Sequence, residues 1–314
     1  MTYERVHGQG SMDLPTERRH PGTTDLDLMP TLDLLRLINA EDATVAEAVR
    51  RALPDLALAV DLGVARLRAG GSIHYFGAGT SGRLATLDAA ELAPTFGLEP
   101  GRVVAHHAGG LEALERALED VEDDHGSGRA DAAGLTPDDL ALGLTASGRT
   151  PYVAGALEAA REAGVSTVLV SANPEAGIAP LADVHICLDT GAEVLAGSTR
   201  MKAGTAQKLA LNAFSTAVMV RLGRTYSNLM TGVVAKNAKL RGRMVGILSQ
   251  ASGDDLVTCQ RVLTESDGDL NLALVRLLAG VDHAAARAAL NDADGVVRSA
   301  LVILHGATSS PATT

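Results

Sequence analysis

Short apolar runs that alternate with helix-length segments constrain the fold of this chain more than any other feature. Five of these runs are typical of strands, at residues 73–76, 103–106, 140–145, 166–170 and 184–188. Helical patterns lie at residues 81–93, 111–121, 151–163 and 205–222. Strands that alternate with helices predict an α/β fold of three layers, in which helices cover both faces of a parallel sheet. Strands that are apolar throughout fit a sheet that is buried on both faces.

The segments that flank this alternation predict further parts of the chain. The polar start predicts an N-terminal arm, amphipathic patterns predict helices before the first strand, and the region after Asn228 shows helical patterns only. We therefore divide the chain into five predicted parts: a polar arm at 1–20, N-terminal helices at 21–54, the sheet domain at 55–224, a small all-helical domain at 225–305 and a disordered tail at 306–314.

The predicted all-helical domain contains a weak internal repeat of 27 residues. Asp267-Gly268 recurs as Asp294-Gly295, and Leu263 recurs as Leu290. Two copies of one helical hairpin would explain the repeat. Coincidence in a segment rich in Ala and Leu is the alternative.

Composition excludes several classes of function. The net charge is −11 and aromatic residues make up 2% of the chain, so we expect no nucleic-acid binding, which needs phosphate neutralisation and base stacking. The chain contains no apolar run of 18 residues and no apolar signal segment at its polar start, so we expect neither a membrane span nor a signal peptide. The two cysteines form no CxxC motif and the nine histidines show no metal-ligand spacing, so we predict a cytoplasmic protein without a metal site.

The loop after the first strand is the first place to expect a ligand, because open parallel sheets bind ligands at the carboxyl ends of their strands. Its sequence, Gly77-Ala78-Gly79-Thr80-Ser81-Gly82-Arg83, matches the GxGxxG dinucleotide pattern. The acidic residue that would hold a ribose is missing after the second strand, where the sequence is His106-His107. We therefore disfavour a dinucleotide-dependent dehydrogenase.

Glycines and hydroxyls recur at three more loops, at 145–151, 171–174 and 197–202. Helix N-termini together with Ser or Thr hydroxyls can hold a phosphate without a positive net charge, although the same residues are also ordinary helix caps. The predicted substrate ligands are Gly79, Thr80, Ser81, Ser147, Gly148, Arg149, Thr150 and Lys202. The sequence leaves open which hydroxyls contact the phosphate, and Arg83 and Arg149 are alternatives to Lys202 as its cation.

These loops resemble the sugar isomerase (SIS) family of phosphosugar-binding domains. Further segments resemble the N-acetylmuramic acid 6-phosphate etherase family: Thr16-Glu17, Asn39-Ala40-Glu41-Asp42, Leu87-Asp88-Ala89-Ala90-Glu91 and the block from Gly197 to Leu209. The resemblance extends from about Pro15 to Leu304, and the block at Gly197 is its most specific part. Among the four lysines, Lys202, Lys208 and Lys239 match the family's pattern and Lys236 departs from it.

The resemblance implies a SIS-type sheet domain and C-terminal helices of a ubiquitin-associated type. It also implies a homodimeric carbon–oxygen lyase that needs no cofactor. Such an enzyme cleaves the D-lactyl ether of N-acetylmuramic acid 6-phosphate and gives N-acetylglucosamine 6-phosphate and D-lactate. The reaction belongs to peptidoglycan recycling and amino-sugar catabolism.

Two catalytic glutamates follow from the same resemblance. Glu91 matches the first, in a segment that has Ala90 where Ser is common. Glu122 matches the second, with Glu119 and Asp123 as alternatives in the same acid-rich stretch. The etherase family therefore implies that Glu91 and Glu122 act on the substrate.

The chemistry of ether elimination explains why two carboxyl groups are needed. Opening the sugar to its aldehyde acidifies the C2 proton, which one carboxylate must remove while a protonated carboxyl assists the departing lactate oxygen. Two carboxyls hold opposite protonation states only if their environments differ. Because Leu87, Leu92 and Pro94 surround Glu91 in the sequence, we assign Glu91 as the acid and Glu122 as the base.

Two other functions fit SIS-type loops. A regulator would bind a phosphosugar through Ser81, Ser147 and Thr150 without releasing lactate. A sugar-phosphate isomerase would use one base and would also release no lactate. D-lactate release from N-acetylmuramic acid 6-phosphate distinguishes the etherase from both.

Overall fold

Five parallel strands form one sheet within the described part of the chain. The computed structural model describes residues 14–232 and 238–308. The strands are β1 (Ile73–Gly77), β2 (Val103–His107), β3 (Leu140–Thr145), β4 (Ser166–Ser171) and β5 (Val184–Cys187), in the order β2-β1-β3-β4-β5. Each predicted strand is confirmed to within one residue at either end, and so is the parallel α/β fold class.

Helices precede, connect and follow these strands. In the described residues they are α1 (Thr31–Asp42), α2 (Val45–Arg51), α3 (Leu53–Arg68), α4 (Gly79–Phe96), α5 (Gly110–Glu115), α6 (His125–Ala132), α7 (Pro151–Glu162), α8 (Lys202–Arg221), α9 (Ala238–Ser252), α10 (Leu256–Glu265), α11 (Leu270–Ala279), α12 (His283–Asp292) and α13 (Val297–Thr308). A short antiparallel pair, β6 (Thr225–Tyr226) and β7 (Leu229–Met230), follows α8. The helical C-terminal region is thereby confirmed.

Contacts divide the chain into two compact units. One comprises Met1–Ala90 and Gly101–Thr216, and the other comprises Glu91–Pro100 and Ala217–Thr314. The first unit contains the sheet, and the second contains α9 to α13. The five-part division drawn from the sequence stays a prediction.

Strand β1 provides the point at which the connections of the sheet reverse direction. Ile73 pairs with Val103 of β2 on one side and with Leu140 of β3 on the other. Open sheets bind ligands in the crevice beyond the carboxyl ends of strands at such a point. The loop after β1 therefore lies where the topology favours a ligand site.

Neighbouring residues of β1 face opposite layers of helices, because successive strand side chains point to opposite faces. Phe76 is buried in a cluster that includes Tyr152 and Val153 of α7. Tyr75 makes an edge contact with Phe214 of α8, with ring centroids 6.3 Å apart. Helices thus cover both faces of the sheet, as the uniformly apolar strands predicted.

The helix predicted at residues 111–121 is wrong in length. Helix α5 ends at Glu115, Arg116 is extended, and a single 3-10 turn follows at Val121–Asp123. Five acidic residues lie between positions 119 and 124, and their mutual repulsion disfavours a continuous helix. This loop carries Glu122.

Helix α6 was not predicted, because its sequence contains two glycines, which are poor helix formers. Packing against α7 explains Gly128, which has a counterpart in Gly155 of α7. A Cβ atom on Gly128 would lie 1.9 Å from the Tyr152 carbonyl oxygen, and one on Gly155 would lie 2.1 Å from the His125 carbonyl oxygen. The two backbones approach so closely that only glycine fits at the crossing.

The repeat in the second unit has a structural counterpart. Asp267 and Asp294 both adopt positive φ, at 55° and 50°, and each precedes a glycine with positive φ. The Gly268 N–H donates to the Leu263 carbonyl at 3.0 Å, and the Gly295 N–H donates to the Leu290 carbonyl at 2.8 Å. The same turn therefore joins α10 to α11 and α12 to α13, which confirms a repeated helical hairpin.

The ends of the chain differ in part from the predicted arm and tail. Leu14 and Thr16 are buried, and the Thr16 carbonyl accepts a hydrogen bond from the Gly197 N–H at 2.9 Å. At the other end, residues up to Thr308 belong to α13. Residues 1–13 and 309–314, Lys236 and the side chain of Lys239 lie outside the described residues. Across the described ranges, no helix is long and apolar enough to span a membrane.

Two half-buried histidines on one face of the sheet are paired. His74 Nδ1 lies 2.9 Å from His106 Nε2, so one ring donates and the other accepts. Burial lowers the pKa of His74 from 6.5 to about 4 and also lowers the pKa of His106. The carboxylates of Asp139 and Asp131 oppose these shifts without cancelling them.

We expect the free energy of unfolding to fall as the pH drops from 6.5 to about 4, because the unfolded histidines take up protons that the folded pair excludes. Urea denaturation at a series of pH values measures this slope. The double variant His74→Leu/His106→Leu should flatten it. An unchanged slope in that variant would contradict the assignment to these two rings.

Candidate active site

The loop after β1 is held in a tight turn against β2. Gly79 begins α4 with φ +53°. A Cβ atom on Gly82 would lie 2.6 Å from the Gly77 carbonyl oxygen and 2.5 Å from His107 Cδ2. The GxGxxG pattern therefore reflects the close approach of this turn to β1 and β2.

Substitution of Gly82 should distort this loop. We expect Gly82→Ala to lower the free energy of unfolding by about 1–3 kcal/mol, because the added methyl group overlaps the Gly77 carbonyl and the backbone must shift to admit it. Gly134→Ala is the matched control, since a Cβ atom there meets no atom within 4 Å. Chemical denaturation of both variants measures the difference, and equal stabilities would refute the close approach.

Two buried polar side chains meet beneath the loop. The Ser81 hydroxyl donates to Gln207 Oε1 at 2.9 Å, and Gln207 is only 1% exposed. Within the described residues, Gln207 Nε2 has no hydrogen-bond partner. Sequence reasoning made no prediction for Gln207, although it lies in the block from Gly197 to Leu209 that carries the family resemblance.

The loop after β3 joins its hydroxyls into a network. Thr145 Oγ1 lies 2.7 Å from Thr150 Oγ1 and 3.3 Å from Ser147 Oγ. The Ser147 Oγ accepts from the Arg149 N–H at 3.2 Å, and Asn173 Nδ2 donates to the Ser147 carbonyl at 2.9 Å. Buried Thr145 and Asn173 were missed, because their roles depend on neighbours in three dimensions. Gly148 turns this loop with φ +70°.

A cleft of ≈ 410 Å³ lies beside the loop after β1. It is lined by Gly79, Arg83, His107, Ala113, Ala117, Leu118, Glu119, Asp120, Val121, Glu122 and Asp123. The cleft thus brings one predicted phosphate-loop residue, Gly79, together with the predicted base, Glu122. Glu119 and Asp123 line it too, so the geometry keeps both alternatives to Glu122 open.

Glu122 sits on a constrained turn. Asp120, directly before the turn and two residues before Glu122, adopts φ +63°, a left-handed conformation that is uncommon for residues other than glycine. Glu122 is exposed to solvent within the 3-10 turn. Its carboxylate is therefore accessible to a ligand in the cleft.

The neighbouring residues of α4 do not surround Glu91 with the apolar environment that the sequence predicted. Glu91 is exposed, and Leu87, one turn earlier on α4, is 52% exposed. Leu92 is buried, but it is the next residue on the helix and points about 100° away. Sequence proximity therefore misled the expectation, and the role of Glu91 as the acid stays a prediction.

A buried carboxyl that sequence reasoning passed over lies three residues before Glu91. Asp88 accepts hydrogen bonds from the hydroxyls of Tyr75 at 3.0 Å and Ser215 at 2.9 Å. Burial raises the pKa of Asp88 from 3.8 to about 6, against the effect of these hydrogen bonds and of the Lys208 charge. The group ties α4 to β1 and α8.

Lys202 lies in an ion pair within the protein. Its Nζ is 2.7 Å from Glu41 Oε2, and the lysine side chain is 4% exposed. His20 Nε2 lies 3.2 Å from the other oxygen of Glu41. The fully buried Glu193 accepts the N–H groups of Lys202 and Ala203, both at 2.9 Å. The N-terminus of α8, which the sequence predicted as a phosphate cradle, is therefore capped by a carboxylate of the chain itself.

The family comparisons agree with this fold and these loops. A model of the N-terminal SIS domain of the glucokinase regulatory protein matches residues 55–161, and a SIS-domain model matches residues 111–217. Together with the parallel sheet and its glycine-rich loops, these matches define a SIS-domain protein.

Individual relatives narrow the family. The chain is 70% identical to N-acetylmuramic acid 6-phosphate etherase of Thermobifida fusca over 264 residues, which cover 84% of this chain and 87% of that protein. It is 49% identical to the protein of the same name from Pectobacterium atrosepticum, over 92% of this chain and 96% of the relative. The chain belongs to the N-acetylmuramic acid 6-phosphate etherase family.

Solved structures are less similar. A phosphoheptose isomerase from Francisella tularensis matches with 19% identity and a TM-score of 0.48, over 60% of this chain and 98% of the isomerase. In the part of the chain that the structure describes, no group of three or more His, Cys, Asp or Glu side chains could hold a metal ion.

Proposed function

We propose that this chain is a carbon–oxygen lyase that cleaves the D-lactyl ether of N-acetylmuramic acid 6-phosphate. The products are N-acetylglucosamine 6-phosphate and D-lactate. The observation that carries this proposal is the identity of 70% to a named etherase over most of both chains. The cleft that Gly79 and Glu122 both line supports it, because the predicted phosphate-binding turn and a carboxylate lie at one site.

The chemistry divides between two carboxyl groups. The ring opens to the aldehyde, and the Glu122 carboxylate removes the acidified proton from C2. The C3–oxygen bond breaks as Glu91 protonates the departing D-lactate oxygen, which leaves a double bond between C2 and C3. Water then adds, with hydroxide at C3 and a proton at C2. Positioned proton transfers of this kind each accelerate a reaction by about 100- to 10,000-fold.

Phosphate binding falls to the loops of the sheet. We assign it to the start of α4, with Gly79, Thr80 and Ser81, and to the loop with Ser147, Gly148, Arg149 and Thr150. N–H groups at helix N-termini hold anions without a net positive charge, which suits a chain of net charge −11. Lys202 is the weaker member of this set, because Glu41 already pairs with its ammonium.

We further propose that the chain acts as a cytoplasmic homodimer. Helix α1 contains no buried residue, and Leu32 and Leu35 on it are 58% and 56% exposed. A second copy that covered such apolar surface would stabilise both chains. Two free cysteines, Cys187 and Cys259, fit a reducing compartment. Light scattering of the purified chain tests the dimer, and a monomeric mass at micromolar concentration would contradict it.

A coupled assay for D-lactate tests the activity. Incubation with N-acetylmuramic acid 6-phosphate should release D-lactate and N-acetylglucosamine 6-phosphate in equal amounts. Binding of the phosphosugar without lactate release would favour a SIS-type regulator. Isomerisation of a sugar phosphate without lactate release would favour an isomerase.

A further inference from the structure

The Arg83 guanidinium donates hydrogen bonds to backbone carbonyl groups. Its Nη2 donates to the Ala113 carbonyl at 2.7 Å and to the Arg116 carbonyl at 3.3 Å, and its Nε donates to the Leu114 carbonyl at 2.9 Å. The last carbonyls of a helix have no partner within the helix and carry the negative end of its dipole. The guanidinium therefore caps the C-terminus of α5 from outside.

Helix α5 needs such support. It has six residues, and a helix this short is not stable alone in water. The chain leaves it at Arg116 in an extended conformation and reaches the turn that carries Glu122 six residues later. The position of that turn depends on what fixes the end of α5.

Arg83 also connects this segment to the phosphate loop. It lies one turn into α4, four residues after Gly79, and lines the same cleft as Gly79 and Glu122. In the described part of the chain, it is the only lining residue of this cleft with a permanent positive charge. Its partners are nevertheless carbonyl oxygens, and three of its five N–H groups are used on them.

We propose that Arg83 is a positioning residue: it clamps the end of α5 and so sets the place of Glu122 relative to the start of α4. This deepens the proposed function and rests on it. It also addresses an alternative that the sequence left open: the proposal assigns Arg83 to the position of the base, Glu122, and not to the phosphate as its cation.

Steady-state kinetics of Arg83→Met and Arg83→Lys tests the clamp. Displacement of a catalytic group by about 1 Å can cost about 100-fold in rate, so we expect kcat for D-lactate release to fall by about 10- to 100-fold while KM changes by less than about 3-fold. The lysine variant should not restore kcat, because an ammonium lacks the planar fork that reaches three carbonyls. A KM increase of about 10-fold or more with kcat unchanged would overturn the proposal and make Arg83 a phosphate ligand.

Arg102→Met is the matched control. Arg102 also donates to backbone carbonyls at the end of a helix, those of Leu67 and Gly70 at the end of α3. It precedes the first residue of β2, whereas the cleft lies at the carboxyl end of that strand, where His107 lines it. This variant should lose stability without losing kcat. An equal loss of kcat in both variants would show that the loss in Arg83→Met comes from general destabilisation, and it would overturn the proposal.

Hydrogen exchange gives a readout that does not depend on the reaction. Amides of residues 113–123 should exchange faster in Arg83→Met than in the parental chain, and faster than in Arg102→Met. Unchanged exchange there would overturn the clamp even if activity fell. If the parental chain releases no D-lactate, the proposed function fails, and the exchange experiment still tests whether Arg83 holds this segment.

Discussion

Glu122→Gln is expected to lower kcat for D-lactate release by about 100- to 10,000-fold, the usual contribution of a positioned general base. The amide is nearly the same shape as the carboxylate, but it cannot take the C2 proton. Since Glu122 is exposed, the substitution should leave the free energy of unfolding nearly unchanged. The coupled lactate assay, with urea denaturation alongside it, separates loss of chemistry from loss of structure.

The acidic neighbours of Glu122 provide the controls for this experiment. Glu119 and Asp123 line the same cleft and carry the same charge. Glu119→Gln and Asp123→Asn should each reduce kcat by less than about 5-fold, because a change in local charge alone is a small effect at an exposed site. A large loss in either variant, with Glu122→Gln active, would move the base to that residue.

Glu91→Gln should reduce kcat to a similar extent if Glu91 donates the proton to the leaving lactate. Glu91 is exposed in the described part of the single chain, which lacks the apolar environment that the role of an acid requires. This variant is therefore the stricter test of the assignment. Near-parental turnover in Glu91→Gln would remove Glu91 from the chemistry while leaving Glu122 as the base.

Lys202→Met is expected to lower the free energy of unfolding by up to about 3 kcal/mol, the lower end of the range for breaking a buried ion pair. The value is an upper limit because Lys202 is buried but Glu41 is partly exposed to water. The variant leaves Glu41 with His20 as its remaining partner. It also removes the Lys202 charge, which lowers the pKa of the buried Glu193 against the larger effect of burial. The hydrogen bond from Lys202 lowers the pKa of Glu41 below 4.5, so the stabilisation is present above that pH and is lost as the pH falls further. Urea denaturation near neutral pH measures the effect.

Lys208→Met is the matched control for Lys202. Both lysines lie on α8, but Lys208 is exposed and Lys202 is buried. We expect less than about 0.5 kcal/mol for the control, as for most surface substitutions. Stability unchanged in Lys202→Met, together with a raised KM for the phosphosugar, would contradict the structural role and restore Lys202 as a phosphate ligand.

Several features of this protein were predictable from its sequence because they depend on local patterns. The five apolar runs predicted the strands of a parallel sheet, since strands covered on both faces must be apolar along their length. The 27-residue repeat with Asp267-Gly268 and Asp294-Gly295 predicted a repeated helical hairpin, because the same local sequence favours the same turn. The GxGxxG loop predicted a ligand site, since the topology of open sheets fixes where ligands bind.

The tertiary structure decided what depends on residues that are distant in the chain. Helix α6 forms despite its glycines because α7 packs directly on its backbone. Lys202 pairs with Glu41, which is 161 residues away, so this ion pair cannot be predicted from the residues next to Lys202 in the sequence. Arg83 meets the end of α5 across 30 to 33 residues. Local sequence determines which backbone conformations have a low free energy. The partners of buried charges and hydrogen-bond donors depend on tertiary packing, which no local pattern encodes.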